Sequence, residues 1–146
     1  MTSPITNRWG ETEPIDLEAE HLTIWRAREG AAYSHHPQVT WVGEKLLAAW
    51  SLGERDEDGP GQCMALSTSE DRGETWSPPR RIAGPFPGRI RPAVVTGEGI
   101  RKVADQLIAY FGVYEYTGNG LEPDGRRKAR DFEHARTRCE AVVSLD

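Results

Sequence analysis

"STSEDRGETW", residues 67–76, decides how the rest of the chain reads. Hydroxyls, acids, a base, a glycine and a tryptophan stand side by side, as they do in some active sites. They are also what a tight reversal between two strands demands. An aspartate placed there accepts hydrogen bonds from the backbone N–H groups of its own turn. Gly73 supplies the positive φ that such a turn needs. Ser69 and Thr75 bond back to nearby amides. We read the stretch as scaffold rather than reactive machinery.

Working outward, the turn is flanked by β-type runs. "QCMALSTS" (62–69) leads into it and "RRIAG" (80–84) follows it. Upstream, "HLTIW" (21–25) alternates weakly, and "PQVTWV" (37–42) and "KLLAAWSL" (45–52) are joined by Gly43-Glu44, a two-residue hairpin signal. Downstream come "RPAVVTG" (91–97), "DQLIAYFGVYEY" (105–116) and "TRCEAVVS" (137–144). The polar stretch 117–136 reads as an inserted loop with room for a short helix around 126–135. Residues 1–20, rich in Pro, Thr and Glu, read as a loose leader.

The runs repeat in order. "HPQV" (36–39) pairs with "RPAV" (91–94), "LLAAW" (46–50) with "LIAYF" (107–111), and "MALSTSED" (64–71) with "AVVSLD" (141–146). The spacing between copies only grows along the chain, so order is kept while two loops lengthen. Two copies of a four-stranded antiparallel unit predict an all-β fold made of β-propeller blades, 21–88 and 89–146. A self-contained β-sandwich with accidental similarity is the alternative.

Composition bounds the function. The chain has 146 residues, a net charge of −5, and 37% hydrophobic and 28% charged residues, as expected of a soluble globular protein. No basic field is present to attract phosphate backbones, so nucleic acid is not an expected partner. Cys63 and Cys139 form neither a disulfide framework nor paired zinc ligands, and both stand in apolar runs that suit core positions. No signal peptide or membrane-length apolar run is evident in this chain. No metal and no cofactor are expected, and localisation stays open.

Ser69, Asp71, Gly73, Thr75 and Trp76 fill the pattern S-x-D-x-G-x-T-W. This resembles the Asp-box of the sialidase (neuraminidase) superfamily and its BNR-repeat relatives, as do the trailing prolines of "SPPRRI" (77–82). The resemblance covers about 33–83 well and 89–146 loosely. It implies a six-bladed propeller with about two blades present, Trp76 closing the gap between blades, and an active site on the face opposite the Asp-box. Ser144-Leu145-Asp146 resembles the opening of a second Asp-box, which suggests an N-terminal fragment whose partners include the remaining blades.

The opposite face would be built from strand starts and the loops joining second to third strands. The resemblance places the acid/base aspartate in such a loop, at Asp58 or Asp56, with Glu57 between them. Neighbouring carboxylates raise a pKa, as a proton donor to a glycosidic oxygen requires. The family's carboxylate-clamping arginine is replaced by His35-His36-Pro37, so His35, His36 and Arg91 are the expected substrate-binding residues, and Arg89 is a weaker one. The family's nucleophile, a tyrosine paired with a glutamate, belongs to later blades, and Tyr110, Tyr114 and Tyr116 read as packing. The implied function is a sialidase-like glycoside hydrolase acting on glycans, inactive as this piece alone. The alternative is a non-catalytic propeller that binds carbohydrate or protein. A third reading is a complete small β-domain.

Overall fold

The computed structural model describes residues 19–129 and 133–144. The chain is all-β, with two antiparallel sheets and no α-helix among the described residues. The first sheet holds β1 (Tyr33–Val42), β2 (Lys45–Gly53), β3 (Cys63–Ser69) and β4 (Arg80–Ala83) in sequential order. The second holds β5 (Val94–Val103), β6 (Gln106–Tyr116) and β7 (His134–Val143). The sheets do not close into a barrel.

Alternation decides which faces meet. In β2, Leu47 and Ala49 point to one side and Ala48 and Trp50 to the other, as the two-residue strand period requires. Leu47, Ala49, Met64 and Leu66 of the first sheet pack against Val95, Ile100, Phe111 and Val113 of the second. Val94, Val95 and Val113 are fully buried, and Phe111 stacks on Phe86 at 6.3 Å. The sheets come so close at Gly97 that a Cβ there would stand 3.3 Å from Met64. The same residue's N–H donates to Ser51 Oγ at 2.8 Å, tying one sheet to the other.

Several expectations need correction. "HLTIW" (21–25) forms no strand, because Ile24 and Trp25 instead pack on the outer face of the first sheet with Trp50 and Trp76. Trp76 packs on that same outer face. β5 starts at Val94, so Arg91 precedes the strand it was expected to begin. Cys63 is buried, but Cys139 is exposed on β7, which has no covering layer on that side among the described residues. No helix occurs over 126–129; Leu121 and Arg127 form a lone bridge, and β7 already begins at His134. The second unit has three strands among the described residues, one for each of the runs 91–97, 105–116 and 137–144. Leu145 and Asp146, and with them the second Asp-box signal, lie outside the described residues, as does most of the leader.

The connections sort to two ends. The 43–44 hairpin, the 70–79 turn and the 104–105 hairpin lie at one end; the 54–62, 84–93 and 117–129 segments lie at the other. Arg127 donating to the Glu57 carbonyl at 2.8 Å holds two of the latter loops together.

The 67–76 turn behaves as its chemistry requires. Thr75 donates to Asp71 through both its N–H (2.9 Å) and its hydroxyl (2.5 Å), and the Ser69 hydroxyl donates to the same carboxylate at 2.8 Å. Ser69 Oγ in turn accepts the Gly73 N–H at 2.7 Å, and Trp76 Nε1 donates to the Gly73 carbonyl at 2.9 Å. Gly73 sits at φ +99°, where a side chain would be strained. The Thr75 hydroxyl, then the Thr75 N–H and the Ser69 hydroxyl, hold the Asp71 pKa down at about 2.

Candidate functional site

The opposite end gathers the polar residues that the turn does not use. Its centre is Gln62, 1% exposed, at the mouth of β3. The Gln62 amide donates to the Val95 carbonyl at 3.0 Å and its oxygen accepts the Asp58 N–H at 2.9 Å. Those two bonds fix which end of the amide is oxygen. The same oxygen lies 3.1 Å from His35 Nε2, which must therefore be the protonated, donating nitrogen. Longer contacts of 3.3 Å join Gln62 Nε2 to Asp58 Oδ1 and to Thr96 Oγ1.

Asp58 is placed by a left-handed backbone, φ +55°, and its Oδ1 also accepts from Thr96 Oγ1 at 3.1 Å. His35 Nε2 is 3.9 Å from that oxygen. His36 also adopts a left-handed φ, +52°, within a β-bulge between His35 and Gln38. Successive residues of a regular strand face opposite ways, but a bulge re-aims one of them. Here the two imidazoles stack at 4.3 Å on the same side. Tyr33 meets His35 edge-on at 5.4 Å.

The other face of Asp58 is aromatic. Burial, then the charge of Asp58, push the Tyr114 hydroxyl well above the ordinary tyrosine range. Burial raises Tyr116 as well, and the rings of Tyr114, Tyr116 and His134 cluster at 5.0–6.4 Å. Such aromatic faces beside carboxylates and hydrogen-bond donors suit the apolar faces and hydroxyls of a sugar.

The sequence-predicted residues separate into two groups. His35, His36 and Asp58 come together around Gln62. Asp56 and Arg91 instead line a neighbouring cleft with Pro60, Asp124 and Arg126, where the Arg91 guanidinium lies against Gly125. Arg89 contributes its N–H to the Glu115 carboxylate at 2.8 Å, and that bond is the chief reason the Glu115 pKa is lowered. Gln62, Thr96 and Arg127 were not singled out from the sequence, and Glu57 entered only as the carboxylate between Asp56 and Asp58. Their partners lie far along the chain, and no local pattern marks them.

No family model, curated protein or solved structure matches this chain.

Proposed function

We propose that the chain supplies neighbouring blades of a sialidase-like Asp-box β-propeller and that the loop end around Gln62 binds glycans. The observation that carries this reading is the turn at Asp71, in which all five Asp-box residues serve the geometry of the reversal and their polar groups bond within it. With that end committed to scaffold, His35, Asp58 and Tyr114 at the other end form the binding surface. In this reading Asp58 is the proton donor to the glycosidic oxygen, and Asp56 and Arg91 line an adjoining subsite. Tyr114 is not the nucleophile, because burial and Asp58 oppose the phenolate that role needs.

The non-catalytic alternative is favoured by one observation. Asp58 Oδ1 is already engaged by Gln62 and Thr96, which suits a fixed acceptor better than a proton shuttle.

Titrating sialylated and neutral oligosaccharides into the labelled chain, with amide shifts as the readout, tests the proposal. Shifts confined to residues around His35, Asp58 and Tyr114, and lost in Asp58→Asn, are expected, with no turnover of a chromogenic sialoside by the chain alone. Shifts at the Asp71 turn, or none with any glycan, overturn it.

A further inference from the structure

We propose that His35, His36 and Glu57 bind a divalent first-row transition-metal ion. One ligand atom from each of these residues lies within 4.8 Å of the other two. This departs from the expectation of no metal drawn from the sequence.

The decisive feature is the unspent nitrogen of His35. Its side chain is only 10% exposed, and its Nε2 proton is committed to Gln62 Oε1, whose identity as oxygen is set by Val95 and Asp58. In the neutral ring Nδ1 is therefore a bare lone pair. That nitrogen is buried without a hydrogen-bond partner, yet it stands 3.4 Å from Glu57 Oε1. The spacing is within ion-pair range but not aligned as a hydrogen bond. A lone pair and a carboxylate oxygen repel each other across such a gap unless a proton or a metal cation lies between them.

The spacing also suits a metal. Two ligands bound at about 2.0–2.1 Å to a tetrahedral ion stand about 3.3 Å apart. His36 is exposed, the bulge stacks its ring on that of His35, and one of its nitrogens lies within 4.8 Å of both other ligand atoms. Histidines that ligate metals characteristically donate the other ring N–H to an oxygen, and Gln62 Oε1 fills that role here. The ligating carboxylate is also held: Arg127 pairs with Glu57 Oε2 at 3.7 Å and bonds its carbonyl. Two imidazoles and one carboxylate match borderline metals such as zinc better than calcium or magnesium, which prefer all-oxygen sets. Three protein ligands leave a fourth position open to water or to a ligand hydroxyl.

The test is calorimetric titration of the full chain with Zn2+ in a non-chelating buffer, with Co2+ absorption as a second readout. One ion per chain is expected, with Co2+ bands of a low-coordinate nitrogen–oxygen site. Glu57→Gln and His36→Asn should each weaken binding at least about tenfold, while His21→Ala leaves it unchanged. Asparagine tolerates the left-handed backbone at position 36, and Glu57 is partly exposed, so neither change threatens folding. Circular dichroism of each variant checks this. Absence of binding, binding indifferent to these substitutions, or a 15N spectrum showing His35 protonated on both nitrogens in the presence of Zn2+ overturns the proposal. No sugar enters the measurement, so it stands or falls separately from the glycan reading.

Discussion

Replacing Gln62 by methionine isolates the polar hub of the loop end. Methionine has nearly the same length and volume, so the packing of a side chain that is 1% exposed is kept while its hydrogen bonds are deleted. Three groups lose a partner: the Val95 carbonyl, the Asp58 N–H and His35 Nε2. A stranded buried polar group costs about 1–3 kcal/mol. Val95 is fully buried and bears that in full, whereas Asp58 and His35 recover part from water. The expected loss is about 3 kcal/mol, which lowers the melting temperature of a chain this size by about 10 °C. Gln38→Met is the matched control, since its exposed amide donates only to the Glu98 carbonyl, and its cost should stay below about 1 kcal/mol. Urea unfolding of both variants, with equal slopes required, supplies the comparison. If Gln62→Met loses no more than Gln38→Met, the hub does not organise this end of the sheets.

Two further outcomes follow from the scaffold. The Asp71 pKa is lowered to about 2 from 3.8, so its contribution to stability is complete above about pH 3.8 and is lost as pH falls toward about 2. Asp71→Asn should therefore be less stable than the parent at pH 5, with the difference shrinking toward pH 2; a constant difference across that range refutes the linkage. Phe111→Ala empties the space between the sheets and should cost about 3–5 kcal/mol, whereas Val103→Ala at a 54% exposed position should change stability by no more than about 0.5 kcal/mol. Comparable costs for the two would show that the shared core does not hold the sheets together.

What was legible in the sequence depended on distance along the chain. The Asp71 turn could be read because every partner lies within a few residues, so local chemistry alone specifies it. The Gly43-Glu44 hairpin and most strands were legible for the same reason, through alternation and turn residues. "HLTIW" was not, because its apolar side chains are buried by tertiary packing on Trp50 without any pairing of its backbone. Cys139 shows the converse failure: an apolar neighbourhood in sequence predicts burial only when a second layer covers that face.

The loop end was half legible, for a physical reason. His35, His36 and Asp58 belong to residue types that advertise chemistry, but Gln62 does not, and apart from Asp58 its partners stand 27, 33 and 34 residues away. The bulge that turns both imidazoles to one side has no local signature either, since a regular strand would have separated them. The two ends of the sheets thus differ in what they leave over. At the Asp71 turn the carboxylate, the hydroxyls and the indole N–H are satisfied by one another, so nothing remains to bind a ligand. Around Gln62 the bonds are just as dense but leave one buried nitrogen of His35 facing a carboxylate. That nitrogen is what separates the two ends: each polar group of the Asp71 turn finds its partner within the turn, whereas at the loop end the second imidazole nitrogen is left to whatever proton or ion reaches it.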